Sequence, residues 1–279
     1  MGELQVPRFV KWAGGKHQLL EQLEPLFPKK FNSYFEPFVG GGAVAFHILQ
    51  KFKPKKVVLS DINEELVNSY NIIKTDVERL IIELKQHKEY HSADTKGYFY
   101  EIRKVNPCDL PELERAARFI YLNRTCFNGL YRVNSKGEFN VPIGAYKNPD
   151  IIQEEKLRVI SGLLKKVTIK CTSFEKVLDL IKKNDFVYFD PPYYPLKKGK
   201  SFTAYQKDSF LEKEQEKLAE VFKKLSQKGC CCMESNSDTK FIRELYSKNK
   251  IKVVKARRLI NSKSEGRGEI NEVVIRNYI

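Results

Sequence analysis

Residues 184–194 read N-D-F-V-Y-F-D-P-P-Y-Y, and within them Phe186, Val187, Tyr188 and Phe189 form an unbroken aromatic and β-branched run. A short run that is apolar at every position, rather than at alternate ones, suits a strand buried on both faces, as in a parallel sheet with helices on each side. The run stops at Asp190, which puts a carboxylate at the carboxyl end of the strand. Pro191 and Pro192 lack N–H groups and have fixed φ angles, so no turn that needs the next N–H can consume the Pro191 carbonyl. A carboxylate, a rigid carbonyl and the Tyr193 ring together suit a planar amine, with two acceptors for its two hydrogens and a face to stack on. An exposed base amine meets that description. The same letters also write a plain strand followed by a Pro-Pro turn, so the chemistry needs support from elsewhere in the chain.

That support comes from residues 34–45. Tyr34-Phe35-Glu36-Pro37-Phe38-Val39-Gly40-Gly41-Gly42 reads as a strand running into a glycine turn, followed by a helix to about residue 50. Gly40, Gly42 and Ala45 satisfy the loose dinucleotide pattern G-x-G-x-x-[GA], in which glycines tighten the turn and admit a ligand. A second strand, residues 57–60, ends in Asp61, 21 residues beyond Gly40, where an acid accepts hydrogen bonds from ribose hydroxyls. A nucleoside-bearing cofactor follows, and the pattern leaves open which one. Upstream, Lys11-Trp12-Ala13-Gly14-Gly15-Lys16 is not a Walker loop, because Val10 stands where that motif needs Gly and His17 where it needs Ser or Thr.

The remaining pattern is an α/β alternation. Helices are expected over 17–26, 63–88, 97–105, 112–124, 153–164, 174–183, 209–227 and 239–248, with 92–96 as a polar loop. Strands are expected over 167–171, 186–189 and 229–234, and a basic loop at 197–205 is long enough to close over a substrate. The last two strands, 251–256 and 272–278, lie too close together for a helical crossover, so they should form an antiparallel hairpin on the sheet edge. The loop between them carries Arg257, Arg258, Lys263 and Arg267. The expected fold is therefore α/β, a Rossmann-like sheet with an antiparallel hairpin at one edge.

A formal net charge of +15 points to a polyanionic partner, since Lys and Arg that neutralise phosphates release counterions. Surface ion pairs of the kind found in heat-adapted proteins are the other source of such a composition. No window approaches eighteen apolar residues and no signal-like run opens the sequence, which suggests the cytoplasm and no membrane. The six cysteines, Cys108, Cys126, Cys171, Cys230, Cys231 and Cys232, contain no C-x-x-C pair and read as reduced core residues. His87 and His91 have helical spacing, but no further ligand completes a metal shell, so a solvated helix face is expected and no metal site.

Residues 123–144 differ in character from the rest. Asn123, Arg124, Phe127, Asn128, Leu130, Arg132, Asn134 and Pro142 fall among glycines that punctuate a hairpin around 135–137. Arg pairs with guanine, Asn with adenine, and an aromatic can wedge into a base stack, so the mixture suits DNA reading as well as an ordinary polar hairpin.

Taken in order, W-A-G-G-K, E-P-F-V-G-G-G, D-I-N, N-R-x-x-x-N-G-L-x-R-x-N-x-x-G-x-F-N-V-P-x-G and D-P-P-Y resemble the Dam-type DNA adenine methyltransferases, and the likeness covers nearly the whole chain. That family moves a methyl group from S-adenosylmethionine to the N(6) amino group of adenine. The resemblance implies cofactor contacts by Trp12, Lys16, Asp61 and Asp190, with Phe38 and Gly40 lining the same pocket. Asp190, Pro191, Pro192 and Tyr193 become the catalytic motif. Phe127 takes the place of the aromatic that enters the base stack and Arg132 that of the guanine reader. Asn128, Leu130 and Pro142 match other base contacts, Lys11 matches a Lys facing the first base pair, and Arg124 and Asn134 complete the expected DNA-binding set. Family members with this middle motif recognise GATC.

The resemblance also implies a discontinuous catalytic domain, residues 1–63 and 150–279, with a mainly helical target-recognition domain, residues 64–149, carrying the β-hairpin. Double-stranded DNA is the expected partner, and a restriction endonuclease acting on the same site is a candidate one. The chain departs from the pattern at Phe127, where Tyr also occurs, and at Thr125-Cys126; Phe keeps the flat wedge and loses a hydroxyl that could reach a phosphate. Three rivals remain at this level. An NAD-dependent oxidoreductase would leave D-P-P-Y and the middle motif unexplained, a methyltransferase acting on RNA or on a protein glutamine would keep the pocket and change the partner, and a binding protein would have no use for Asp190.

Overall fold

The computed structural model describes residues 6–196, 210–257 and 269–279. Its centre is β4, Phe186–Phe189, buried at every position as the sequence pattern requires. Phe186 and Tyr188 join one apolar core, and Val187 and Phe189 join a second on the opposite face, the two-residue alternation of a strand covered on both sides. The other strands are β1 Ser33–Glu36, β2 Lys56–Asp61, β3 Val167–Cys171, β5 Cys231–Ser237, β6 Lys250–Arg257 and β7 Glu269–Arg276. They form one sheet in the order β3-β2-β1-β4-β5-β7-β6.

Strands β1 to β5 are parallel, whereas β7 pairs antiparallel with both β5 and β6, so the expected hairpin closes one edge. The chain winds outward in one direction from β1 and in the other from β4. These two strands are adjacent, with Tyr34 opposite Phe186 and Phe35 opposite Val187. Ligands of such sheets bind at the carboxyl ends where the winding reverses. The glycine turn that follows β1 and the Asp-Pro-Pro-Tyr turn that follows β4, distant in sequence, therefore lie side by side there.

The helices are α1 Leu20–Leu23, α2 Ala43–Lys51, α3 Glu64–Thr75, α4 Val77–Ala93, α5 Thr95–Lys104, α6 Glu112–Thr125, α7 Glu154–Leu164, α8 Glu212–Gln227 and α9 Lys240–Leu245. The expected helix over 17–26 is a string of short turns, with α1 between two 3-10 segments and Pro25 in the second of them. The expected helix over 63–88 breaks at Asp76, whose φ of −145° is not helical. The expected loop at 92–96 is instead a helix junction, because the Asp94 carboxylate accepts the Gly97 N–H at 2.8 Å and caps α5. Residues 174–180 form a 3-10 segment in place of the expected α-helix. The basic loop 197–205 and Arg258, Lys263 and Arg267 lie outside the described residues.

Helices α3 to α6 and the segment up to α7 are inserted between β2 and β3. The first of them sits on the sheet: Tyr70 Oη donates to the Gly40 carbonyl at 2.9 Å and Lys74 Nζ to the Val167 carbonyl at 2.8 Å. The expected β-hairpin is reduced to two isolated bridges, Cys126 with Ile143 and Val133 with Phe139. His87 and His91, expected on a solvated face, turn inward to the hydroxyls of Tyr98 and Tyr121, at 2.7 and 2.9 Å. The cysteines are free thiols, but Cys108 and Cys171 are exposed rather than in the core. Among the described residues no helix is long and apolar enough to cross a membrane.

Candidate active site

At the tip of β4 the Asp190 side chain is 19% exposed, and its Oδ1 lies 2.7 Å from Lys16 Nζ. The Lys16 ammonium is itself buried; it also donates to the Gly14 carbonyl at 2.5 Å and lies 4.8 Å from the centre of the Tyr193 ring. Burial pushes the Asp190 carboxyl up to about 6, against the pull of Lys16 and with help from the nearby negative charge of Glu272. The Tyr193 hydroxyl donates to Glu272 Oε2 at 2.7 Å. Among the described residues no hydrogen bond reaches the Pro191 carbonyl, while the Pro192 carbonyl accepts from Gln215 Nε2 at 3.0 Å.

Behind this turn is a polar scaffold that sequence reasoning misses. Asn236 Oδ1 accepts the backbone N–H of Tyr194 at 3.2 Å, and Ser237 Oγ donates to the Tyr194 carbonyl at 2.6 Å. The Asn236 amide donates in turn to Gln215 Oε1 at 3.0 Å and to Glu234 Oε1 at 2.9 Å, and Glu234 Oε2 accepts from Tyr246 Oη at 2.5 Å. Burial pushes Glu234 up to about 7. At the end of β1, Glu36 accepts from Tyr34 Oη at 2.6 Å and is held well above the usual carboxylate range by burial. The one signal for it in the sequence is a carboxylate or amide at strand positions where apolar residues belong. A satisfied network of this kind fixes the backbone that presents Asp190 and Tyr193.

The glycine turn is tied to β2. Gly40 N–H donates to Asp61 Oδ2 at 3.1 Å and Asn63 N–H to Oδ1 at 3.0 Å, while burial raises the Asp61 carboxyl against those two bonds. Gly40 has φ +48°, and a Cβ there would stand 2.8 Å from the Trp12 indole. The glycine therefore makes room for Trp12, which packs over the turn and lies nearly parallel to Tyr131, 6.2 Å away at 21°. Phe38 is half-buried and stacks on Phe174 at 5.4 Å. Ile62, beside Asp61, is 72% exposed.

The expected DNA-reading residues divide into two groups. Phe127 projects with 51% exposure, Asn128 is exposed at φ +55°, and Pro142 is exposed while its carbonyl accepts the Phe127 N–H at 2.8 Å. Leu130 is half-buried against the core beneath them. Lys11 is anchored by its backbone to the Asn123 amide, at 2.7 and 2.8 Å, and its Nζ lies 3.9 Å from the centre of the Tyr146 ring. Arg132 is half-buried, with Nε donating to Asn140 Oδ1 at 2.6 Å.

Two residues of the set have their side chains committed to hydrogen bonds within the protein. Arg124 is buried and donates to the Phe9 carbonyl at 2.7 and 3.0 Å, to the Arg8 carbonyl and to Gln153, so its guanidinium fastens the N-terminal segment rather than facing a ligand. The Asn134 side chain builds the turn, accepting from the N–H groups of Lys136 and Glu138 at 2.9 and 3.0 Å. Beside that turn a cavity of about 400 Å³ is lined by Arg103, Lys104, Lys136 and Asn140.

Comparison with known proteins fits this arrangement. Residues 12–260 match the model of the D12 class N6 adenine-specific DNA methyltransferases. The chain is 48% identical to the type II methyltransferase M.MjaIII of Methanocaldococcus jannaschii, covering 99% of this chain and 100% of that protein. It is 43% identical to the type II methyltransferase M1.LlaDCHI of Lactococcus lactis, covering 97% and 95%. Against the DNA adenine methylase of Haemophilus influenzae it is 39% identical, covering 95% and 92%. With likeness over nearly the full length on both sides, and with the acid, the prolines and the tyrosine at the tip of β4, the chain belongs to the D12 class N6 adenine-specific DNA methyltransferases.

Proposed function

We propose that the chain takes its methyl group from S-adenosylmethionine and places it on the N6 amino group of an adenine extruded from duplex DNA, within GATC. The observation that carries this reading is the pairing of the Asp190 carboxylate with a Pro191 carbonyl that no hydrogen bond reaches among the described residues, both beside the Tyr193 ring. The donor set also fits the cofactor. Asp61 keeps further lone pairs for ribose hydroxyls, Ile62 and Phe38 offer apolar surface for a base, and the Lys16 ammonium and Asp190 carboxylate suit the two charged ends of an amino acid. When bound, S-adenosylmethionine supplies a methyl group activated by a sulfonium.

The chain's own residues do the rest. Phe127 fills the gap that the base leaves, which offsets an unstacking cost of about a few kcal/mol. Tyr193 stacks on the extruded purine. Asp190 and the Pro191 carbonyl accept the two amino hydrogens, which draws the nitrogen lone pair out of ring conjugation, aims it, and supports the positive charge that develops on nitrogen. The Asp190 carboxylate can also take up the proton that this nitrogen gives up. Arg132, Asn128, Leu130, Pro142 and Lys11 form the reading set. The division into residues 1–63 with 150–279 for catalysis and 64–149 for target recognition belongs to the same proposal, with α3 as the part of the insert that docks on the sheet. The names of the two type II relatives support a restriction endonuclease partner.

Replacing Asp190 with Ala tests the centre of this reading. The variant should stay folded, less stable for the unpaired Lys16 ammonium, and lose nearly all methyl transfer; ample residual turnover would overturn the role. Sequencing modified bases in DNA from cells expressing the protein tests GATC, and N6-methyladenine in another context would replace it.

A further inference from the structure

Tyr193 is the ring on which the extruded base is read to stack, and the structure gives that ring a specific tether. Its hydroxyl donates to Glu272 Oε2 at 2.7 Å, across to the antiparallel strand β7. Glu272 is 9% exposed and is followed by Val273, Val274 and Ile275, all fully buried. In register it lies opposite Ser237 of β5 and Val254 of β6. A carboxylate at the start of such an apolar run is costly unless it does something there, and Tyr193 is its hydrogen-bond partner among the described residues. We propose that Glu272 is a positioning residue for methyl transfer: its carboxylate fixes the Tyr193 phenol, and through it the plane of the ring that receives the base. This rests on the reading of Asp190 to Tyr193 as the adenine receptor and extends it to the edge hairpin, which no pattern in the sequence ties to the site.

Glu272 also contributes charge. The groups facing Asp190 are Lys16 from the N-terminal segment, Tyr34 and Glu36 from β1, Tyr188 from β4, Tyr193 from the turn, Glu234 from β5 and Glu272 from β7. Glu272 adds negative charge that disfavours ionisation of Asp190, so its two effects separate by substitution. Glu272→Gln keeps an oxygen that accepts from the phenol and removes the charge, whereas Glu272→Leu removes both.

The experiment is a double-mutant cycle of Glu272→Leu and Tyr193→Phe, read as single-turnover methylation of a GATC duplex at saturating S-adenosylmethionine, with product identified by mass spectrometry. Glu272→Leu should lower the rate by about tenfold to a hundredfold, the scale of a misplaced reacting group, with duplex affinity little changed. The double variant should be no slower than the slower single variant, because both remove the same hydrogen bond. Glu272→Gln should recover most of the rate and move the acid limb of the pH profile to lower pH. Losses that multiply in the double variant, or a folded Glu272→Leu protein with wild-type rate, would overturn the proposal. If Glu272→Leu does not fold, Glu272→Ala, which adds no bulk, replaces it in the same cycle. A wild-type protein that makes no N6-methyladenine removes the underlying reading and this inference with it, whereas wild-type methylation with an indifferent Glu272 removes only the inference.

Discussion

Lys16 Nζ stands 2.7 Å from Asp190 Oδ1, joining the segment before α1 to the tip of β4. It is the cation opposed to a group of carboxylates, Asp190, Glu36, Glu234 and Glu272, that burial has brought together. Burial, helped by the negative charge of Glu272, is why the Asp190 carboxyl rises to about 6 even with an ammonium in contact.

An acid limb in the pH profile should follow. Methyl transfer requires ionised Asp190, so the single-turnover rate should fall about tenfold per pH unit below its pKa. Lys16 favours the ionised form, and Lys16→Met should raise the midpoint of that limb by about one pH unit or more. Activity at neutral pH would drop and return on the alkaline side, provided that S-adenosylmethionine is saturating. An unmoved midpoint would show that the ion pair does not set the protonation of Asp190 in the working complex.

Phe127 offers a separate test, because it carries half its surface in the open and does little for the core. Phe127→Ala should change folding stability by no more than about 0.5 kcal/mol, as surface changes do. The loss of an inserted ring from the base stack should cost about 1–3 kcal/mol in the extruded state. Fluorescence of 2-aminopurine at the target position reports extrusion directly, and an undiminished signal in the variant would remove Phe127 from that role.

Much of this site is legible in the order of residues alone, because its two halves each follow a strand. The Phe186 to Phe189 run and the Gly40 to Gly42 turn announce strand ends locally, and the right-handed winding of parallel strands then sets them side by side. What stays hidden depends on neighbours remote in sequence. Glu36, Glu234 and Glu272 look like ordinary strand carboxylates until the sheet buries them around Asp190. The glycines read as space for a ligand, yet Gly40 gives that space to Trp12, from a segment whose docking no local pattern encodes. The break at Asp76 is equally silent, because the apolar spacing continues through it from α3 into α4.

Arg124 and Arg132 sit eight residues apart in the same motif and should behave in opposite ways. Arg124 is buried, with its guanidinium on the carbonyls of Arg8 and Phe9. Arg124→Ala should cost about 3 kcal/mol or more, since charged hydrogen bonds vanish and buried acceptors are left without donors. Its effect on methylation should be the same at every sequence. Arg132 is half-buried and pairs with Asn140. Arg132→Ala should leave the melting temperature nearly unchanged and relax base choice at one position by about 1–3 kcal/mol. Methylation rates on GATC and its single-base variants, beside melting curves for both proteins, distinguish these roles; loss of discrimination in Arg124→Ala would return that residue to the reading set.

The inserted helices carry an acid sensitivity of their own. His87 stacks on Tyr121, ring centres 4.8 Å apart at 11°, with Nδ1 2.7 Å from the Tyr98 hydroxyl. Burial, aided by the Arg118 charge, pushes His87 down to about 4 from its ordinary 6.5. The folded protein therefore keeps His87 neutral where the unfolded chain takes up a proton, so this contribution is complete above pH 6.5 and is lost as the pH falls toward 4. Over that interval the change is about 3 kcal/mol, at 1.36 kcal/mol per pKa unit. His87→Gln can still bond Tyr98 and does not titrate, so it should flatten the fall in urea midpoint between neutral pH and about pH 4.5. His91 is also lowered by burial, and it leaves a smaller residual slope. A variant whose midpoint falls as steeply as that of the wild type would place the acid sensitivity outside the His87 and Tyr121 stack.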